Sequence, residues 1–211
     1  MIKNIIFDWA GTLTDALAMF KNICEIMFKK LGKEPISSKE IKEEFEMPYM
    51  KFWNKYFPNL TKEDQDKMFE EAIHKTKKPT LHKGVKETLL ELKKMKINLF
   101  IVSADPISRL KKEIEESGLT DMFNKIYSRE DGEKDKVISE IIKTNHFNPG
   151  ETMFVADTCG EVGQGKSVGV KTAGVPLGIQ SEKILRKANP DYIIHNMREL
   201  IEIVKKENKI Y

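Results

Sequence analysis

The stretch Ile5-Ile6-Phe7-Asp8-Trp9-Ala10-Gly11-Thr12 lies near the start of this 211-residue chain and decides its fold. Three apolar residues end at a carboxylate, and a glycine follows three positions later. A short apolar run of this kind, bounded by loop residues, is typical of a strand buried on both faces of a parallel sheet. It therefore predicts a central strand with an acidic side chain directly after its end.

Similar apolar runs recur along the rest of the chain, separated by segments with helical periodicity. The predicted strands after the first are 97–102, 152–156, 170–175 and 192–194, and the predicted helices include 86–95, 107–117, 135–144 and 197–206. Strands that alternate with helices of this length indicate a sheet covered by helices on both faces. We therefore expect an α/β fold with a doubly wound, mainly parallel, Rossmann-like sheet.

The segment 15–82 interrupts this alternation. It contains no strand-like run, and its pattern predicts helices near 16–31, 38–45, 49–56 and 62–74, punctuated by prolines. Ligands of open α/β sheets bind at the carboxyl ends of the strands, so a helical insert after the first strand would cover that edge. We therefore predict a catalytic core formed by 1–14 and 83–211, and a small all-helical cap domain formed by 15–82.

Composition excludes some classes of partner. The formal charge of +3 comes from 36 basic and 33 acidic residues spread along the chain, whereas nucleic-acid binding requires clustered basic residues. No apolar run approaches the ~20 residues of a membrane-spanning helix. Only two cysteines are present, far apart in sequence. We therefore expect a cytoplasmic protein that binds neither nucleic acid nor membranes; nothing in the sequence indicates its oligomeric state.

Three predicted strands end in a polar side chain: Asp8, Ser103 and Asp157. Because the carboxyl ends of parallel strands lie at one edge of the sheet, these side chains are expected to converge there. Two carboxylates with a backbone carbonyl form an oxygen site that suits Mg²⁺, which in turn binds phosphate. A serine hydroxyl and a lysine in the same place would hold phosphoryl oxygens.

Four ordered motifs resemble those of the haloacid dehalogenase-like hydrolases. Residues 8–15 (Asp-Trp-Ala-Gly-Thr-Leu-Thr-Asp) are similar to the first motif, and Val102-Ser103-Ala104 to the second. Residues 155–162 resemble the acidic fourth motif, and 165–175 the helix and strand that usually follow it. The resemblance covers the whole chain, including the position of the helical insert, and four motifs in order are far more specific than one.

The resemblance implies a role for each matching residue. Asp8 would attack phosphorus and form an aspartyl-phosphate, which is a form of covalent catalysis. Ser103 would act with it, and Thr12 and Ala104 would bind the transferred group. The lysine of the third motif would lie within 133–137; Lys134 is preferred, and Lys136 is the alternative. The implied Mg²⁺ ligands are Asp8, Ala10 through its carbonyl, Asp157 and Glu161.

One position departs from the pattern of the family's phosphatases. They usually carry a second aspartate, a general acid and base, two residues after the nucleophile; Ala10 stands there. General acid–base catalysis contributes ~10²–10⁴-fold. Alkyl phosphates should therefore be poor substrates unless the leaving group departs without a proton. Asp105, close to Ser103, is interpreted as a cap of the helix that begins near Ile107.

Alanine at this position also resembles the phosphonoacetaldehyde hydrolases of the same superfamily. Those enzymes cleave a C–P bond after a lysine of the cap forms a Schiff base with the substrate. Lys51, four residues after Met47, is the candidate here. The histidine expected just beyond that lysine is replaced by Asn54, which argues against this subfamily.

Three hypotheses follow for the function. The first is a Mg²⁺-dependent hydrolase of a small phosphorylated metabolite, with relaxed specificity or an activated leaving group. The second is cleavage of a phosphonate through Lys51. The third is a catalytically silent homologue that binds a phosphorylated ligand or a protein, since fold alone does not decide activity.

Overall fold

The computed structural model describes residues 1–209 and contains one six-stranded sheet. The strand order is β3-β2-β1-β4-β5-β6, and all five neighbouring pairs are parallel. The predicted fold class is confirmed. The strands are β1 (Asn4–Phe7), β2 (Asn98–Val102), β3 (Lys125–Tyr127), β4 (Thr152–Ala156), β5 (Lys171–Gly174) and β6 (Tyr192–Ile193).

Ten α-helices accompany the sheet in the part of the chain that the structure describes. Five lie between β1 and β2, and the others lie between or after the later strands. No helix within residues 1–209 is both long and apolar enough to cross a membrane. The helices are α1 (Ala16–Lys30), α2 (Ser38–Glu44), α3 (Met50–Tyr56), α4 (Lys62–Ile73), α5 (Val85–Lys94), α6 (Ile107–Glu116), α7 (Lys134–Thr144), α8 (Cys159–Val168), α9 (Glu182–Leu185) and α10 (Met197–Asn208).

The register of the central strands positions the site. Phe7 of β1 is paired with Ile101 of β2 on one side and with Val155 of β4 on the other. Each of these strands is followed within two residues by Asp8, Ser103 or Asp157. The three polar side chains therefore leave the sheet at the same edge, as the motif spacing predicts.

The helices α1–α4, here called the cap, have an apolar core of their own. It is rich in aromatic rings; for example, the ring centroids of Phe20 and Phe45 are 5.2 Å apart, and the planes are nearly perpendicular. The chain enters and leaves the cap at neighbouring points, since the Asp15 N–H donates to the Thr80 carbonyl at 2.8 Å. This organisation agrees with an inserted domain; the boundaries at residues 15 and 82 stay a prediction.

The short strand β3 was not predicted from the sequence. It has three residues, of which Lys125 is exposed and Ile126 half-buried, and it lies at the edge of the sheet. An edge strand is buried only in part, so it needs few apolar residues. The apolar run here is therefore too short to be distinguished from the surrounding loop in the sequence. Residues 125–127 form a strand because they pair with β2, and no local sequence pattern indicates this pairing.

Gly165 provides a test of how closely α8 packs on the sheet. A Cβ atom at this position would lie 2.9 Å from side-chain carbons of Phe154 and Thr172, whereas one at the exposed Gly163 meets nothing within 4 Å. Gly165→Ala should lower the free energy of unfolding by about 1–3 kcal/mol through overpacking. The matched Gly163→Ala should raise it by about 0.5–1 kcal/mol, because alanine favours the helix. Urea denaturation measures both; equal effects would contradict the close packing.

Candidate active site

A buried lysine and two carboxylates form the centre of the candidate site. The Lys134 Nζ atom lies 2.5 Å from Asp8 Oδ1 and 2.5 Å from Glu161 Oε1. Lys134 is the first residue of α7, Asp8 follows β1, and Glu161 lies in the first turn of α8. All three side chains are largely withdrawn from solvent, so this contact between three elements depends on the complete sheet.

Asp157 is the third carboxylate of the cluster. Carboxylate oxygens of Asp8, Asp157 and Glu161 all lie within 4.8 Å of one another. The Thr12 hydroxyl lies 3.0 Å from Asp8 Oδ2 and 3.4 Å from Asp157 Oδ1, so it bridges the two carboxylates. Three converging hard oxygen donors fit a magnesium ion.

Burial and like charges oppose ionisation of this cluster. Burial and the neighbouring Glu161 carboxylate raise the pKa of Asp8 to about 7, although Lys134 acts in the opposite direction. The pKa of Asp157 is raised well above its usual value, first by burial and then by Glu161 and Asp8. Burial lowers the pKa of Lys134, but its attraction to Asp8 and Glu161 outweighs this and raises the pKa overall. The carboxylates therefore require cations to stay ionised together.

Two glycines allow the backbone to approach Asp157 closely. A Cβ atom on Gly11, which has a φ of +92°, would lie 2.1 Å from Asp157 Oδ2, and one on Gly178 would lie at the same distance. The free space lets the Ile179 N–H donate to Asp157 Oδ2 at 2.7 Å. Gly11 of the first motif is thus required both by its conformation and by this contact.

A chain of polar contacts runs from Ser103 along α6 to the residue after Asp8. The Ser103 hydroxyl donates to Asp105 at 3.2 Å, and the Asp105 carboxylate lies 3.5 Å from the Arg109 guanidinium. Arg109 Nε donates to Glu113 at 2.8 Å, and the Trp9 indole N–H donates to the other oxygen of Glu113 at 2.8 Å. The prediction that Asp105 caps helix α6 is wrong, because its carboxylate contacts Ser103 and Arg109 instead.

A cavity of about 210 Å³ opens over this site between core and cap. Asp8, Asp157, Ser103, Lys134 and Glu161 line it from the core. The cap contributes mainly apolar and aromatic side chains, which would exclude water from a bound substrate. Those contributed by the cap are Ala16, Met19, Phe20, Phe45, Met47, Tyr49 and Phe69.

Most residues predicted for the site are brought together. Ala10 and Ala104 also line the cavity, and Lys134, not the exposed Lys136, contacts Asp8. Thr12 is fully buried, and its hydroxyl contacts the two aspartates instead of the cavity. The predicted role of Thr12 in substrate binding stays a prediction, and the structure shows its hydroxyl between the two carboxylates.

Lys51 is placed elsewhere. It lies on α3, is exposed to solvent and is not among the residues that line the cavity, although the cap residues Met47 and Tyr49 are. The Schiff-base hypothesis therefore receives no support from this geometry.

Arg109 and Glu113 were missed by sequence reasoning. Charged residues four apart on a predicted helix usually lie on its solvated face, and only the packing of α6 against Trp9 shows that Glu113 is buried. No pattern around Trp9 in the sequence indicates that its indole N–H donates to Glu113, which lies 104 residues further along the chain.

Comparison with known proteins now decides the family. The sequence profile of the haloacid dehalogenase-like hydrolases matches residues 5–175. The chain belongs to this family. The prediction of an enzyme of the haloacid dehalogenase-like superfamily is thereby confirmed.

Individual relatives agree with this membership. The pyrophosphatase PpaX of Oceanobacillus iheyensis is 28% identical over 96% of this chain and 97% of its own length. The phosphoglycolate phosphatase of Synechococcus elongatus is 22% identical over 96% of this chain and 97% of its own. A haloacid dehalogenase-like protein of unknown function from Agrobacterium tumefaciens shares the fold, with a TM-score of 0.81 at 20% identity over 99% of this chain and 100% of its own.

The contacts of Lys134 can be tested through stability. Lys134→Met would leave the carboxylates of Asp8 and Glu161 buried without their cation. Because breaking a buried ion pair leaves an uncompensated charge, the free energy of unfolding should fall by about 3–5 kcal/mol in metal-free protein at pH 8. Lys136→Met, on the exposed face of the same helix, should change it by less than about 0.5 kcal/mol. Chemical denaturation measures both, and equal losses would contradict this reading of the site.

Proposed function

We propose that the chain hydrolyses a small phosphorylated metabolite through an aspartyl-phosphate on Asp8. The observation that supports this most strongly is the environment of Asp8. Its carboxylate follows the central strand, lines the cavity and lies 2.5 Å from the Lys134 ammonium. A carboxylate in that position can attack an electrophilic phosphorus that enters the cavity from the cap side.

A magnesium ion would be held by Asp8, Asp157, Glu161 and the backbone carbonyl of Ala10. When bound, Mg²⁺ neutralises the anionic oxygens of nucleophile and substrate and so lowers the repulsion between them. Support comes from the three converging carboxylates. The pKa values of Asp8 and Asp157 are raised first by burial and then by neighbouring carboxylates, so a bound cation would help these groups to stay ionised.

The remaining residues would position the phosphoryl group. Ser103 and Ala104 line the cavity next to Asp8, where the hydroxyl and the backbone N–H can donate to phosphoryl oxygens. Lys134 would balance the charge that develops on those oxygens. The Thr12 hydroxyl would keep Asp8 and Asp157 in place, since it lies within hydrogen-bonding distance of both.

The leaving group has to depart without a proton from position 10. Ala10 lines the cavity and has no ionisable group to offer. A phosphoanhydride or an acyl phosphate releases a phosphate or carboxylate anion, which is a good leaving group without protonation. The similarity to a protein named pyrophosphatase supports this class of substrate. We therefore propose an activated phosphate as the substrate.

The nucleophile can be tested with acetyl phosphate. The protein should release phosphate from it in the presence of Mg²⁺ and lose that activity when EDTA is added. Asp8→Asn should lower kcat by at least about 10³-fold, because the amide cannot form the aspartyl-phosphate. Asp121→Asn, at an exposed position of the core, serves as the matched control. Full activity of Asp8→Asn, or no turnover of any activated phosphate, would sink the proposal.

The role of Ala10 can be tested by restoring the acid. Ala10→Asp should raise kcat/KM for an alkyl phosphate such as glycerol phosphate by about 10–100-fold, part of the general acid contribution of ~10²–10⁴-fold. Hydrolysis of acetyl phosphate should change by no more than a few-fold, because its leaving group needs no proton. Ala10→Asn, which matches the size but cannot donate the proton in the same way, is the control. A uniform change for both substrates would contradict the argument about the leaving group.

A further inference from the structure

A second cavity lies beside the crevice, at the junction of cap and core. It has a volume of about 430 Å³ and is formed by the end of α4, the segment 74–79 and one face of α6. Met19 and Arg109 line both this cavity and the one over Asp8. The two cavities are therefore neighbours, and Met19 and Arg109 form the wall between them.

The second cavity is strongly basic. Among the described residues that line it, Glu113 is the one acid, and it is already bonded to Arg109 and Trp9. Lys78 is paired with Glu116 at 2.7 Å on the rim. The basic side chains that line the cavity are His74, Lys77, Lys78, Arg109 and Lys112.

Two of these cations have no carboxylate partner. Within residues 1–209, neither Lys77 nor Lys112 forms a salt bridge, although the Glu116 carboxylate that pairs with Lys78 also attracts Lys112. A concave surface with an excess of positive charge attracts anions, and low-dielectric walls increase the effect. The cavity therefore favours an anionic group over a neutral one.

Arg109 stands where the two cavities meet, and its guanidinium is held in place. Nε donates to Glu113 and Nη1 faces Asp105, whereas Nη2 has the sulfur of Met19 as its contact at 3.7 Å. A thioether is a weak acceptor. The Nη2 edge is thus fixed by two carboxylates and keeps donors for an anion, and a planar guanidinium suits phosphate and carboxylate alike.

We infer that the basic cavity is a subsite for a second anionic group, carried by the leaving group of the substrate. This inference rests on the proposed function, since it assumes that the first phosphoryl group lies at Asp8. The substrate class is a phosphorylated metabolite with a carboxylate or second phosphate at its far end. Arg109 binds that group at the boundary of the cavities, and Lys77 and Lys112 stabilise its charge.

Binding of non-hydrolysable probes to the full chain tests this without turnover. The probes are propylphosphonate, which has one anionic end, and 3-phosphonopropionate and propane-1,3-diphosphonate, which have two. In calorimetric titrations with Mg²⁺ present, at least one two-ended probe should bind about tenfold tighter than propylphosphonate, as expected for one charge-assisted contact. If 3-phosphonopropionate binds more tightly than propane-1,3-diphosphonate, the subsite prefers a carboxylate; the reverse order indicates a preference for a phosphate.

Variants of exposed lysines test whether the tighter binding of two-ended probes arises in the basic cavity. The double variant Lys77→Gln/Lys112→Gln should reduce the preference to about twofold or less, and Arg109→Lys should reduce it as well because the planar fork is lost. Lys111→Gln, the neighbouring lysine of α6 that does not line the cavity, should leave it unchanged. Affinity for propylphosphonate should stay within about twofold in the lysine variants, which shows that they remain folded.

The outcomes separate this inference from the proposed function. Equal affinity for all three probes, no binding of any of them, or a preference that survives the double variant would overturn the subsite. Acetyl phosphate has no second anionic end, so its Asp8-dependent hydrolysis reports on the proposed function alone. A preference without that hydrolysis would keep the subsite and remove the proposed chemistry.

Discussion

The structure of the site depends on the contact between Lys134 and the carboxylates of Asp8 and Glu161. Burying several carboxylates at one sheet edge is costly, because desolvation and mutual repulsion both oppose their ionisation. The raised pKa values of Asp8 and Asp157 express this cost. One lysine, brought from the start of α7, offsets part of it. The remaining surplus of negative charge is what makes the cluster suitable for a divalent cation.

The surrounding fold serves to hold these charges together. Parallel pairing aligns the ends of β1, β2 and β4, and the glycines at 11 and 178 let two backbone segments close over Asp157. The cap covers the charged residues of the core with aromatic and apolar side chains. In such a setting, electrostatic interactions with a substrate are stronger than in water. The charged groups of the site therefore come from the core, and the cap contributes most of the apolar wall of the cavity.

Arg109 connects the two cavities in this arrangement. Its bonds to Glu113 and Asp105 tie it to both Trp9, next to the nucleophile, and Ser103 at the neighbouring strand end. A residue so fixed is suited to recognising a substrate group at a set distance from Asp8. In the proposed function, Arg109 recognises the charge of the leaving group. Ala10 restricts the substrate to leaving groups that depart as anions without a proton.

The sequence by itself predicted the fold class, the helical insert after the first strand, and a group of Asp8, Ser103, Asp157 and Glu161 with a lysine at 134 or 136. Strand-length apolar runs are a local signal, and parallel pairing brings their carboxyl ends to one edge whatever the details of packing. Only the tertiary structure decided that Lys134 and not Lys136 reaches Asp8, since that depends on how α7 is rotated against the sheet. It also decided that Lys51 faces solvent and that Thr12 bridges two aspartates. Likewise, only the packing shows that Arg109 is half-buried and Glu113 buried. These features arise from contacts between residues far apart in sequence, and no local pattern of residue types encodes the direction of a side chain within such a contact.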